Sequence, residues 1–251
     1  MKSQDFKDQL KGQWALVTVG SEGIGREFAH QLAGLGMNLV IVARTESKLR
    51  LAEESLKKQF DCKVLVITED LTDPFSFARI LEKLKQNSIK VKILVNNAGV
   101  GALNVKAPVL LSQLLFEDLR NHDESAIINV SSIAAYKPTP YMSVYAATKS
   151  FLMSFSQGLW AEWGKHGIRV QTLAPKTTDT ESSKKPGNFQ TTETKDTAET
   201  VVRQSLRALF AYNQKIVVPV KGTLFSRILA KILPAKVWIR QVAKIFNPKS
   251  V

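Results

Sequence analysis

Seven apolar runs recur along the chain at spacings that leave room for a helix between most of them. They are "WALVTV" (14–19), "NLVIVA" (38–43), "KVLVIT" (63–68), "VKILVN" (91–96), "SAIINVS" (125–131), "IRVQTLA" (168–174) and "KIVVPV" (215–220). The runs are continuously apolar and do not alternate with polar residues, so each reads as a strand covered on both faces. Amphipathic segments lie between them: about 23–35, 46–59, 74–85 and 142–163, with "KAPVLLSQLLFEDLR" between the fourth and fifth runs. Strand, helix, strand in repetition predicts an α/β fold, a doubly wound parallel sheet of Rossmann type. Its ligand crevice lies at the carboxyl ends of the strands. The 251 residues suffice for one such domain, read here as 1–223, with a basic C-terminal extension at 224–251.

Composition narrows the function. Cys62 is the single cysteine, so no disulfide forms within the chain. The N-terminus is polar and no stretch reaches the apolar length of a membrane span, which points to a cytoplasmic protein. The net charge of +13 is unevenly placed. After Glu199 there is no acidic residue but ten Lys or Arg, whereas the first 199 residues hold 25 basic against 22 acidic side chains. In "LFSRILAKILPAKVWIRQVAKIF" (224–246), broken at Pro234, basic positions four apart share helices with apolar ones. Such helices suit an anionic membrane surface or cap the apolar mouth of a pocket. No recognition motif accompanies the charge, which argues against nucleic acid. His30, His122 and His166 show no metal-ligand spacing, and no metal is expected.

"TVGSEGIG" (18–25) joins the first strand to the first helix. A strand–turn–helix of this kind aims backbone N–H groups and a positive dipole end at a phosphate. Gly23 and Gly25 let the backbone approach it. Val19, however, stands where the common form of the loop has its first glycine, and a β-branched residue resists positive φ. Gly20 is expected to absorb part of the turn, leaving cofactor binding weakened but not abolished. Glu22 sits close enough to repel a phosphate.

Farther on, "YAATK" places Tyr145 and Lys149 on one helix face. A carbonyl that receives hydride must also receive a proton, and an ammonium beside a phenol brings its pKa toward the working range. Ser132 ends a strand thirteen residues earlier, with Ser131 directed to the opposite side.

These pieces, with "EDL", "NNAG", "INVSS" and "APKTTDT", resemble the short-chain dehydrogenase/reductase family over nearly the whole chain. "YAATKSFLMSFSQGLWAEW" and the basic, Pro-broken C-terminus look most similar to the branch of 3-oxoacyl-CoA reductases and 17β-hydroxysteroid dehydrogenases. The resemblance implies a catalytic set of Tyr145, Lys149, Ser132 and Asn104. It implies a cofactor site built from Thr18, Gly20, Ser21, Gly23, Ile24, Gly25, Arg44, Asp70, Leu71, Asn97, Ala98, Gly99, Pro175, Thr178 and Thr180, with Tyr145 and Lys149. Arg44 follows the second strand where NAD-preferring members carry an acid. A guanidinium there suits a 2′-phosphate, so NADP(H) is expected over NAD(H).

The implied function is interconversion of a ketone and a secondary alcohol on a small apolar substrate, acyl or steroid-like. Two departures stand beside Val19. Lys176 replaces a usual Gly after Pro175, and the step from Asn96 to Asn104 is much shorter than in relatives. Eight extended residues still reach about 26–29 Å, enough to cross the sheet top. The shortening removes pocket wall and some of the surface through which relatives associate, so a homo-oligomer is left open. The rival expectation is a relative that keeps the fold for nucleotide binding or membrane-surface interaction without turnover.

Overall fold

The structure, a computed structural model, describes residues 6–97, 103–180, 196–211 and 216–217, and in the C-terminal segment 234, 236–237, 239–240 and 243. Six long strands form: β1 (Trp14–Thr18), β2 (Asn38–Ala43), β3 (Val64–Thr68), β4 (Val91–Asn96), β5 (Ser125–Val130) and β6 (Ile168–Leu173). Two-residue strands lie at β7 (Thr178–Asp179), β8 (Asp196–Thr197) and β9 (Ile216–Val217). The main sheet has the order β3-β2-β1-β4-β5-β6-β9, and every pairing in it is parallel. This is the doubly wound architecture. The order reverses between β1 and β4, which places the crevice at their carboxyl ends.

The helices are α1 (Gly23–Gly34), α2 (Glu46–Gln59), α3 (Ser76–Gln86), α4 (Leu103–Leu114), α5 (Phe116–Arg120), α6 (Ser143–Trp163) and α7 (Ala198–Phe210). Alternate strand residues feed two cores. Ala15, Val17, Leu39, Ile41, Ile93 and Val95 face α1, α2 and α7. Leu16, Val40, Val42, Leu94 and Ile127 face α3, α4, α5 and α6. Both faces being covered explains the unbroken apolar strands.

The polar, Thr-rich stretch 176–200 carries regular structure at both ends. β7 pairs with β8, and α7 begins at Ala198 with the Thr197 hydroxyl accepting from the Thr200 N–H. α7 contributes Val201, Val202, Leu206 and Leu209 to the first core. The Thr-rich composition hid this helix start. Threonine is a poor helix former but a good N-cap.

Candidate active site

Strand ends set the floor of the crevice. Thr18 is fully buried at the end of β1. Its hydroxyl donates to the Val95 carbonyl at 3.3 Å and accepts from the Asn97 N–H at 2.9 Å. Asn97 Nδ2 donates in turn to the Thr18 carbonyl at 3.3 Å. Thr18 and Asn97 therefore pin β1 to β4 at the point where a dinucleotide would lie. Ala98 and Gly99 lie outside the described residues.

The glycine turn differs from expectation in one respect. Val19 itself adopts φ +53, whereas Gly20 does not enter the left-handed region. Gly20 thus does not absorb the turn. Its role is close packing, since an added Cβ would meet Ile41 Cγ2 at 3.0 Å. Val19 is held by its surroundings: its N–H donates to the Val42 carbonyl at 2.7 Å and its side chain packs on the second core. A non-glycine residue held this way costs on the order of 1–3 kcal/mol.

Gly25 permits the closest approach in the loop, because an added Cβ would overlap the Val19 carbonyl and come within 2.5 Å of Asn97 Nδ2. Gly23 has φ +58, and Thr180 lies over it. Ser21 is buried and Ile24 packs on the first core. The Glu22 side chain does not cap α1, and a helix start without that bond presents its first N–H groups to an anion.

Charges ring the ends of β2 and β3. Glu22 does not stand as an unopposed acid: its carboxylate meets Lys48 Nζ at 2.7 Å. Arg44 Nη1 lies 3.9 Å from Asp70 Oδ2. The other Asp70 oxygen accepts from the Thr72 N–H and hydroxyl, which hold the carboxyl below its usual range. Arg79 bridges Glu69 and Asp73 on either side of this turn. Leu71 turns inward, its side chain part of the second core.

The candidate proton-transfer residues Ser132, Tyr145 and Lys149 meet where the end of β5 faces α6. The Ser132 hydroxyl lies close enough to the Tyr145 phenol to favour its charged form. Ser132 caps a short 3₁₀ turn, its hydroxyl accepting from the Ala134 N–H at 3.2 Å. Lys149 is 3% exposed, and its Nζ donates to the Val130 carbonyl at 2.8 Å. Nζ also stands 5.7 Å from the centre of the Tyr145 ring. Ser131 points away, as expected, and donates to the Lys149 carbonyl at 2.8 Å. Asn129 Nδ2 donates to the Ser156 hydroxyl at 2.8 Å, a third stitch between strand and helix.

The electrostatics correct one expectation. Burial pushes the Tyr145 phenol above its ordinary value, and this outweighs the opposing influence of the nearby Ser132 hydroxyl. The ammonium is aimed at a carbonyl, and its own pKa is pushed down by burial to about 8. Lys149 thus does not draw the phenol downward in this arrangement.

Asn104 sits in the first turn of α4, fully buried, with Nδ2 donating to the Thr148 hydroxyl on α6 at 3.0 Å. Its Oδ1 has no protein partner. Pro108 lies inside the same helix. It has no N–H, so the Asn104 carbonyl four residues earlier loses its helical amide partner. Pro175 is buried, and its carbonyl accepts from the Ile133 N–H at 3.1 Å. The Thr178 hydroxyl donates to the Lys176 carbonyl at 3.1 Å. The segment carrying Thr178 and Thr180 therefore folds from β6 back over the glycine turn despite Lys176.

A family model described as short chain dehydrogenase matches residues 13–191. The chain belongs to the short-chain dehydrogenase/reductase family. The matched span contains Ser132, Tyr145, Lys149 and Asn104. 17-beta-hydroxysteroid dehydrogenase type 3 of Danio rerio is 32% identical to this family member over 252 residues, covering 92% of the chain and 79% of the relative. Very-long-chain 3-oxoacyl-CoA reductase of Rattus norvegicus is 30% identical over 232 residues, covering 82% and 72%. Among solved short-chain dehydrogenases, one from Sphingobium yanoikuyae in complex with NADPH superposes with a TM-score of 0.78 at 26% identity, covering 91% and 95%.

Most of the basic C-terminal segment lies outside the described residues. Among those described, Lys236, Val237, Ile239 and Arg240 are helical and exposed. No helix among the described residues is long and apolar enough to cross a membrane, and none of their His, Cys, Asp and Glu side chains cluster as metal ligands.

Proposed function

We propose that the chain is an NADP(H)-dependent oxidoreductase that interconverts a ketone and a secondary alcohol on an apolar, 3-oxoacyl or steroid-like substrate. The observation that carries this reading is the placement of the buried Lys149 ammonium 5.7 Å from the centre of the Tyr145 ring, with Ser132 at the carboxyl end of β5 beside them. The dinucleotide fits the cradle. Gly25 lacks the Cβ that would fill it, and the start of α1, which Glu22 does not cap, offers its N–H groups. Arg44 and the NADPH-bound relative support the phosphorylated form of the cofactor.

The nicotinamide, when bound, would supply the hydride. The protein's own residues handle the proton and the charge. Burial holds the Tyr145 phenol in its acid form, which suits donation to a carbonyl oxygen during reduction. The Ser132 hydroxyl is placed to steady negative charge developing on that oxygen. Lys149, with a pKa near 8, exchanges its proton easily and so can serve reprotonation. Tyr141 and Val144 are exposed beside Tyr145 and support an apolar substrate. Two further parts of the reading rest on surfaces. Exposed Leu114, Phe151 and Trp160 on α4 and α6 support self-association. The basic segment 224–251 supports contact with an anionic membrane from the cytoplasmic side; sedimentation with anionic vesicles at low salt tests it, and a protein left in solution refutes it.

The central test is NADPH oxidation across a panel of acyl and steroid ketones. Tyr145→Phe is expected to lower turnover by about 10²–10⁴ while nucleotide affinity is kept. Wild-type protein that binds NADPH but turns over no ketone would instead mark a fold-retaining binding protein.

A further inference from the structure

A hollow of about 410 Å³ lies at the far end of α1 from the glycine turn, lined by residues of α1, α7, the N-terminal segment and the turn after α2. α1 is 12 residues long, so its two ends stand about 16 Å apart. The floor of the hollow is apolar. Leu35 and Phe60, which directly follow α1 and α2, join Leu206 and Phe210 of α7 there, and all four belong to or pack against the first core. The rim is basic, made of Lys7, Arg203 and Arg207, each exposed. Arg203 and Arg207 open the series of ten basic residues that follows Glu199, and their spacing of four puts them on one face of α7. We propose that this hollow binds a long-chain acyl carboxylate, with the chain on the floor and the head group on Lys7 and Arg207, at a site separate from the catalytic crevice.

Sign and shape select the ligand. Two carboxylates touch residues of the lining: Glu199 meets Arg203 at 3.0 Å, and Glu27 accepts from the Gln31 amide at 2.7 Å. Gln31 also donates to the Glu199 carbonyl at 3.1 Å, which ties α1 to the start of α7. Asp8, next to Lys7 in sequence, does not line the hollow. Arg203 is thus balanced within the chain, and Lys7 and Arg207 give the rim its positive sign. The basic segment 224–251 has that same sign, which argues against it as the occupant. A carboxylate answers a guanidinium and an ammonium together. The volume falls within the span of small-molecule sites, about 300–1,000 Å³, and the apolar floor suits a hydrocarbon chain. A bilayer surface, by contrast, offers a plane of head groups and would leave a recessed floor unfilled. The walls are braced from behind. Phe210 packs on Phe6 with ring centres 6.2 Å apart. His30 stands edge-on to Phe60 at 4.9 Å, with Nε2 3.0 Å from Gln59 Oε1. The hollow therefore exists before a ligand arrives, and little of the cost of binding goes into ordering it.

Calorimetric titration of the full chain with dodecanoate, kept monomeric, and with dodecan-1-ol tests this without any need for turnover, so its outcome is distinct from that of the oxidoreductase reading. Each methylene added from octanoate to dodecanoate is expected to tighten binding about twofold to fourfold. Dodecan-1-ol is expected to bind about fivefold more weakly than the acid. Gly34→Leu fills the hollow: a Cβ at this position meets Phe60 Cε1 at 3.5 Å, an ordinary contact, and a helix favours leucine over glycine. That variant is expected to lose dodecanoate binding while NADPH affinity and ketone turnover stay at the wild-type level. Lys7→Glu combined with Arg207→Glu alters exposed positions only, and reads the same site even if Gly34→Leu melts low. It is expected to weaken dodecanoate about tenfold and to leave dodecan-1-ol within about twofold. Dodecanoate bound equally well by Gly34→Leu places the acid elsewhere, such as the catalytic crevice, and overturns the proposal. Alcohol bound as tightly as acid, or acid binding unchanged in the charge-reversed variant, removes the cations from the site and overturns it too. A wild type that binds no dodecanoate also overturns it; phosphatidylglycerol vesicles that sediment this protein but not the charge-reversed variant would then assign the same cations to a membrane surface.

Discussion

Lys149 should make the folded protein less stable than it could be, and by an amount that depends on pH in a defined direction. The side chain is 3% exposed, and burial lowers its pKa from 10.5 to about 8. Below about pH 8 the group is protonated in both folded and unfolded states, so the full cost of burying the charge is present. Between about 8 and 10.5 the unfolded chain binds a proton that the folded chain does not, and stability rises with pH. The shift corresponds to about 3 kcal/mol. Lys149→Met removes that cost and also the hydrogen bond to the Val130 carbonyl, which returns about 1–2 kcal/mol. The variant should therefore gain about 1–2 kcal/mol at neutral pH, a rise in melting temperature of roughly 2–8 °C for a chain of this size, while losing turnover. The advantage should vanish by about pH 10, where the native lysine is neutral in the fold. Urea denaturation of both proteins across this range measures the difference directly, and other alkaline titrations cancel in the comparison. A variant less stable than wild type at neutral pH, or a stability difference flat across the range, refutes the account of Lys149 as a buried, disfavoured cation.

Gly25→Ala should lose about 1–3 kcal/mol of stability together with nucleotide binding, because the new Cβ stands 2.9 Å from the Val19 carbonyl carbon and neither backbone segment can yield; a normal melting temperature would show that α1 does shift. Val19→Gly relieves the left-handed strain but loses packing on the second core and adds unfolded-state freedom, so stability should move by less than about 1 kcal/mol. NADPH affinity should rise in that variant, and an unchanged dissociation constant would remove Val19 as the cause of any weakness. Pro108→Ala restores an amide donor opposite the Asn104 carbonyl and should raise the melting temperature while lowering turnover. A stabilised variant with full turnover would exclude that carbonyl from the reaction.

The sheet was legible because its signal is one of repetition: both faces are buried, so strands such as Asn38–Ala43 carry no polar interruption and stand out against the helices. α2 was readable to its last residue for a related reason, since its apolar positions Leu49, Ala52 and Leu56 keep helical spacing. α7 was not, because its start lies within a run of threonines, any of which could cap a helix, and only the packing of Val201, Val202 and Leu206 on the core selects Thr197. At the site, residue types and spacing identified Ser132, Tyr145 and Lys149, and the structure brings them together. Directions of hydrogen bonds are a different matter. That Lys149 would aim at Val130, or that Glu22 would meet Lys48 across 26 residues, depends on how two elements pack, and no local pattern encodes it. The left-handed turn at Val19 shows the same limit in reverse. Propensity assigns such a turn to glycine, yet the Val42 carbonyl and the second core impose it on a valine.

The shortened step between Asn96 and Asn104 bears on whether the site can work at all. Removing chain between a strand and the following helix could have left that helix adrift from the catalytic face. Instead α4 starts at Leu103, and the next residue donates its side-chain amide to Thr148, one turn from Tyr145 on α6. Thr148 in turn donates to the Tyr145 carbonyl at 2.8 Å, so Asn104 is coupled to the backbone that carries the phenol. Pro108 adds a second consequence: it denies the Asn104 carbonyl its helical amide partner, on the same residue whose buried side-chain oxygen lacks a protein partner. A buried acceptor left without a partner costs about 1–3 kcal/mol if dry. The polar seat at Asn104 is thus in place on α4, and a shortened crossing is expected to alter the substrate range before the proton chemistry.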